Sequence, residues 1–189
     1  ELGLQMPVNK IYDPKKPCLA DAVVSFGGFC SGAVVSEDGL VFTNHHCGFS
    51  SIQQHSSVEH DYLKDGFFAR SLEEELPNPE LYVRFLLRTE DVTKRVLSAA
   101  RHAKTETERR VAVDSIMNVI SMEVSEKDST LTGIVDAYYA GNEFWLSVYR
   151  DYNDVRLVFA PPSSVGKFGW DTDNWMWPRH TGDFSVFRI

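Results

Sequence analysis

Two short β-prone runs, Ser31–Val35 and Leu40–Thr43, flank Glu37-Asp38-Gly39, and a cysteine stands beyond the outer end of each: Cys30 before the first, Cys47 after the second. An Asp-Gly pair between apolar runs signals a tight antiparallel hairpin, because both residues tolerate positive φ. Closing that hairpin brings Cys30 and Cys47 within reach of each other. A bridge between them would close a loop of about 16 residues and contribute on the order of 3 kcal/mol. The chain has three cysteines, so one bridge leaves Cys18 over, read as a buried or free thiol. The bridge would pin the segment Thr43-Asn44-His45-His46-Cys47, in which a strand delivers two histidines to its end. Such rigidity suits a general base, which must lie within roughly 3 Å of the proton it takes.

The rest of the chain alternates between β-rich and helical patterns. Ala22–Phe26, Leu81–Leu87, Glu143–Arg150 and Arg156–Ala160 read as strands. From about 91 to 124 the period changes: Val92, Val96, Ala99, Ala100 and Ala103 recur at three and four, as do Val113, Ile116, Met117, Ile120 and Val124. Thr105 and Glu108 have the spacing of a capping box and divide this stretch into two helices. The pair is read as an amphipathic hairpin packed on a β-barrel formed by the strands, with partner binding as the alternative. Residues 1–21 read as an irregular lead-in, and His45–His60 as a polar loop opening at most with a helical turn. A loop rich in Gly, Pro and Trp runs up to Arg179. The fold class is therefore mainly β with a helical insert.

Composition removes several function classes. The net charge of −8 argues against non-specific nucleic-acid binding, which needs clustered Lys and Arg to neutralise phosphates. No apolar run approaches the roughly 18 residues of a membrane-spanning helix. A metal at His45-His46 is disfavoured because adjacent side chains on an extended segment diverge, and no nearby Cys, His or Asp set completes a coordination shell. No cofactor is expected. The chain stops inside a strand-like run, Asp183–Ile189, and is read as a trimmed or processed piece of a longer protein.

Thr43–Cys47, with Cys30-Ser31-Gly32 upstream, resembles the chymotrypsin superfamily, in which small residues precede the His-Cys of the catalytic base. That match assigns the base to His46, directly before Cys47, with His45 as its neighbour. His180-Thr181-Gly182-Asp183-Phe184-Ser185-Val186-Phe187 is similar to the strand opened by the superfamily's orienting aspartate, which makes Asp183 the partner that would hold the imidazole. Asp171 and Asp173 compete for that role but sit among turn-forming residues. A Gly-x-Ser-Gly nucleophile motif is absent. The superfamily places that Ser after the aspartate, so its absence fits a chain that ends early. The isolated chain is expected to be inactive.

Phe42–Gly48 (FTNHHCG), Ile52–Phe67 (IQQHSSVEHDYLKDGF) and Asn174–Asp183 (NWMWPRHTGD) narrow the likeness. They resemble the bacterial exo-dipeptidyl-peptidase family of the dipeptidyl-peptidase 7 and dipeptidyl-peptidase 11 type, from about Leu2 onward. The resemblance implies that residues 1–189 are the amino-terminal part of the peptidase domain: the first β-barrel of a chymotrypsin-like double barrel, with its helical insert. The second barrel, the Ser and a large helical domain would lie beyond. It further implies an oligopeptide substrate with a free amino terminus, a homodimeric parent, and a periplasmic or cell-surface setting in a Gram-negative bacterium. Family position places Asn174 and Trp175 near the substrate's amino group. An Asn carbonyl accepts from an ammonium, and an indole face attracts a cation. His55 and His60 are read as structural. The alternatives are a non-catalytic protease-like binding module, decided by whether a Gly-x-Ser-Gly follows in the parent, and a trypsin-like endopeptidase.

Overall fold

The computed structural model describes residues 3–189. The described residues divide into two compact units, 3–84 with 152–189, and 85–151.

The first unit is built around an antiparallel sheet. Its strands are β1 (Val23–Phe26), β2 (Cys30–Val34), β3 (Leu40–Thr43), β4 (Phe67–Phe68), β5 (Leu76–Pro77), the start of β6 (Val83–Asp91), β9 (Arg156–Ala160) and β12 (Ser185–Arg188). The order runs β4-β9-β12-β3-β2-β1-β6, with β5 also on β9. Alternate residues face a core of Val24, Phe26, Val41, Leu157 and Phe187, and the Phe26 and Phe187 rings lie 4.8 Å apart. A short hairpin, β10 (Lys167–Phe168) and β11 (Asp171–Thr172), lies in the loop before β12. Helices α1 (Val8–Ile11) and α3 (Tyr62–Asp65) are single turns, whereas α2 (His45–His55) is a three-turn helix.

The expected β2–β3 hairpin forms, with Ala33 opposite Phe42 and Val34 opposite Val41. Its turn is longer than the Asp-Gly pair suggested. Ser36–Gly39 make up the loop, the Ser36 hydroxyl accepts from Leu40 N–H at 3.1 Å, and Gly39 (φ +76°) takes the left-handed conformation without Asp38.

The second unit carries its own core. The strand order is β6-β8-β7, where β7 spans Leu131–Tyr138 and β8 spans Glu143–Tyr152, in register from Leu131 opposite Arg150 to Tyr138 opposite Glu143. Helices α4 (Thr93–Ala99) and α5 (Glu106–Lys127) supply Val96, Ile120 and Val124, which are buried with Val92, Val135, Phe144, Leu146 and Val148. The helical pattern was thus correctly located, and Thr105 does cap α5 by accepting from Glu108 N–H at 3.1 Å. The reciprocal bond is displaced by one residue, because Glu108 accepts from Lys104 N–H at 2.7 Å rather than from Thr105.

Two readings are corrected. Residues 45–55 are helix rather than loop. Their buried face is His45, Gly48 and Ile52, spaced by three and four, with Cys47 beside it. Packing on that face overrides the weak helix preference of a Gly- and Ser-containing segment. Strand β7 was not foreseen, because its Thr, Gly, Asp and Ala positions break up the apolar alternation.

Candidate active site

Register and a helix start build the site in the first unit. Strand β12 pairs antiparallel with β3, Ser185 opposite Thr43. Carried past the start of β12, that register sets Asp183 beside the first turn of α2. Helix α2 is held down on β12 by Gly48, where a Cβ would come within 2.8 Å of Ser185 Oγ and 3.1 Å of the Phe187 ring. The Cys30–Cys47 disulfide, with Cα atoms 6.1 Å apart, ties the same turn to the start of β2. Cys18 remains free.

His46 Nδ1 lies 2.8 Å from Asp183 Oδ2, and the Asp183 side chain is 2% exposed against 32% for His46. A second contact fixes the carboxylate's other oxygen: Asp183 Oδ1 accepts from His46 N–H at 3.1 Å. That amide is one of the donors left without an intrahelical partner at the start of α2. The carboxylate is therefore a helix cap supplied from another strand, in the place where the helix dipole favours negative charge. With both oxygens engaged, the imidazole is held with Nδ1 toward Asp183, and its Nε2 edge is left for other partners.

His45 has a different environment. It is buried, and among the described residues its Nε2 has no hydrogen-bond partner. Burial holds its pKa below the usual histidine value, opposed by the carboxylates of Asp183 and Asp173 and by a hydrogen bond to the Pro161 carbonyl. It is the less suited of the two histidines to exchange protons with a substrate. Of the competing carboxylates, Asp171 pairs with Phe168 in the small hairpin. Asp173 adopts φ 52°, donates its N–H to Gly166 O at 2.7 Å, and through its main-chain carbonyl accepts from the Thr181 hydroxyl. The disulfide sulfurs and His46 present ligand atoms within 4.8 Å of one another, but both sulfurs are already bonded together.

The Trp-rich loop borders the dyad. The Trp175 ring lies 5.7 Å from the His46 ring, tilted by 32°, and is 74% exposed. Asn174 beside it is half-buried. Trp170 and Trp177 are also exposed, so the loop presents aromatic faces rather than covering the core. His55 Nε2 lies 3.2 Å from Asn78 Oδ1, and His60 stacks near Tyr62. A residue that sequence reading passed over is Asn44, whose Nδ2 donates to Asp183 Oδ2 at 3.0 Å and to Asp183 O at 3.2 Å.

Comparison with solved structures gives the class. The chain superposes on the crystal structure of Porphyromonas endodontalis DPP11 in complex with the dipeptide Arg-Glu with a TM-score of 0.84 and 44% identity, covering 99% of this chain and 28% of that one. The same enzyme has also been solved in complex with substrate, again with a TM-score of 0.84. Among sequences, dipeptidyl-peptidase 7 of Porphyromonas endodontalis is 54% identical over 189 residues, which is all of this chain and 23% of the relative. An Asp/Glu-specific dipeptidyl-peptidase of Capnocytophaga gingivalis is 51% identical, over all of this chain and 26% of the relative. The pattern of the Peptidase S46 family matches residues 1–189, and the chain belongs to that family. It spans about a quarter of the length of these relatives.

Proposed function

We propose that this chain is the amino-terminal part of the catalytic domain, the first barrel of a double-barrel fold, in a serine peptidase that releases dipeptides from free amino termini. The observation that carries the reading is the 2.8 Å contact between His46 Nδ1 and a buried Asp183 carboxylate whose second oxygen is also engaged. In the complete protein, a Ser supplied by later residues attacks the peptide carbonyl. His46 takes the Ser proton at Nε2 and returns it to the leaving amine, then activates water for deacylation. Asp183 holds the tautomer and stabilises the imidazolium. Asn174 and Trp175 form part of the clamp on the substrate's α-ammonium, and Trp175 already stands beside His46. A buried ammonium also needs countercharge, so an acidic residue from outside this chain completes the clamp.

The disulfide suits an oxidising compartment, and among the described residues no helix is long and apolar enough to cross a membrane. The setting we propose is the periplasm or cell surface of a Gram-negative bacterium, with a homodimeric parent; the dimer rests on family resemblance.

The test is product analysis with the full-length parent on a hexapeptide, free or N-acetylated. Successive dipeptides from the free peptide and little cleavage of the acetylated one are expected. Equal cleavage of both, or release of single residues, would contradict the exopeptidase reading. Asn174→Ala should lower kcat/KM on the free peptide by about ten- to a hundred-fold, the worth of one hydrogen bond to a charged group. Its effect should shrink on the acetylated peptide.

A further inference from the structure

We infer that Asn44 is a positioning residue for the reaction: its side-chain amide clamps Asp183, through the carboxylate and the main chain together, and so sets the direction in which the carboxylate faces His46. The inference rests on the reading of His46 and Asp183 given above and deepens it.

Asn44 is the N-cap residue of α2, a position where Asn side chains usually accept from a backbone N–H of the first turn. Here it makes no such bond. The side chain turns instead to a residue 139 positions away, its Nδ2 donating to Asp183 Oδ2 at 3.0 Å and to Asp183 O at 3.2 Å. The orientation of the amide is chemically determined: both partners are acceptors only, so the nitrogen and not the oxygen must face them. The capping that Asn44 leaves undone is performed by Asp183, which accepts from His46 N–H at 3.1 Å. The two residues have exchanged the usual arrangement, and the exchange holds the carboxylate by three donors: the Asn44 amide and the imidazole on Oδ2, the His46 amide on Oδ1.

Asn44 is itself held. Its carbonyl accepts from the fully buried Ser185 hydroxyl at 3.0 Å and from Gly48 N–H at 3.2 Å. Ser185 stands at the start of β12, two residues after Asp183, so the strand that carries the aspartate and the helix that carries the histidine are joined through Asn44 at both ends. Without the amide, Oδ2 would lose its second donor and the carboxylate could turn about its Cα–Cβ bond away from Nδ1. Because the Asn44 amide is spent on Asp183, its loss should show in kcat rather than in KM.

The experiment compares Asn44→Ala, Asn44→Asp and His46→Ala with the wild type in the full-length parent, with kcat and KM measured separately across pH. Asn44→Ala should lower kcat by about ten- to a hundred-fold with KM changed by about twofold or less. Asn44→Asp has the same shape but sets a carboxylate against a carboxylate. Its kcat should fall further at neutral pH and recover relative to the wild type as pH drops, because a shared proton restores a donor. His46→Ala should abolish activity. If it does, and the Asn44→Asp to wild-type ratio is flat with pH, or Asn44→Ala keeps full kcat or loses only KM, the role of Asn44 is overturned while the catalytic reading stands. If His46→Ala retains activity, the catalytic reading itself falls.

Discussion

Replacing Gly48 by Ala sets two opposing effects against each other at the point where α2 meets β12. Alanine in a helix interior is favoured over glycine by about 1 kcal/mol, so an open site would be stabilised. This site is not open. The added Cβ would lie 2.8 Å from Ser185 Oγ and 3.1 Å from two carbons of the Phe187 ring. Neither neighbour can yield freely. The Ser185 hydroxyl donates to Asn44 O at 3.0 Å, and the fully buried Phe187 ring packs on Phe26. Overpacking of a close-packed core costs roughly 1–3 kcal/mol; set against the propensity gain of about 1 kcal/mol, and with neither neighbour free to yield, a net loss of up to about 2 kcal/mol is expected. Relief by lifting α2 would also draw His46, two residues earlier, away from Asp183. Urea unfolding followed by near-ultraviolet circular dichroism, alongside kcat/KM in the full-length parent, reads both effects. We expect lowered stability and a larger proportional loss of activity than of folded protein. A Gly48→Ala variant that is as stable and as active as the wild type would refute the packing account of how the helix is seated.

Two further outcomes follow from the same frame. Converting Cys30 and Cys47 together to Ala should cost about 3 kcal/mol through loss of a loop closure of about 16 residues, seen as a lower unfolding midpoint that no longer responds to reductant; an unchanged midpoint would show that the bridge constrains little. His45 has a folded pKa depressed below its unfolded value by burial, so the unfolded chain binds more protons in the window below the ordinary histidine pKa, and stability should fall as pH drops through it. Melting curves from pH 8 to 5 for wild type and His45→Asn should converge toward the acid end, and parallel curves would count against this.

What could be read without a structure depended on how local the signal was. The strands about Asp38-Gly39, the cap at Thr105 and the apolar spacing of Val113–Val124 are set by neighbours in sequence, and they were legible. Helix α2 was not, since only three of its positions repeat at helical spacing and one of them is glycine, whose burial becomes meaningful only against Ser185 and Phe187. His46 and Asp183 stood out by their flanking residues. Asn44 did not, although it sits inside the same motif, because the residues after it read as a polar loop, where an Asn is unremarkable. Its actual partner is 139 residues distant, and nothing local to residue 44 marks that contact.

The central claim is that this chain supplies the base, and the carboxylate that orients it, to a serine dipeptidyl-peptidase. The most direct measurement is kcat/KM for dipeptide release by the purified full-length parent and its His46→Ala variant, each shown by circular dichroism to be folded. A loss on the order of 10⁴-fold or more is the expected result, the scale on which a general base of this kind contributes. A folded His46→Ala enzyme that releases dipeptides within about tenfold of the wild-type rate, a loss of only about 1.4 kcal/mol, would contradict it.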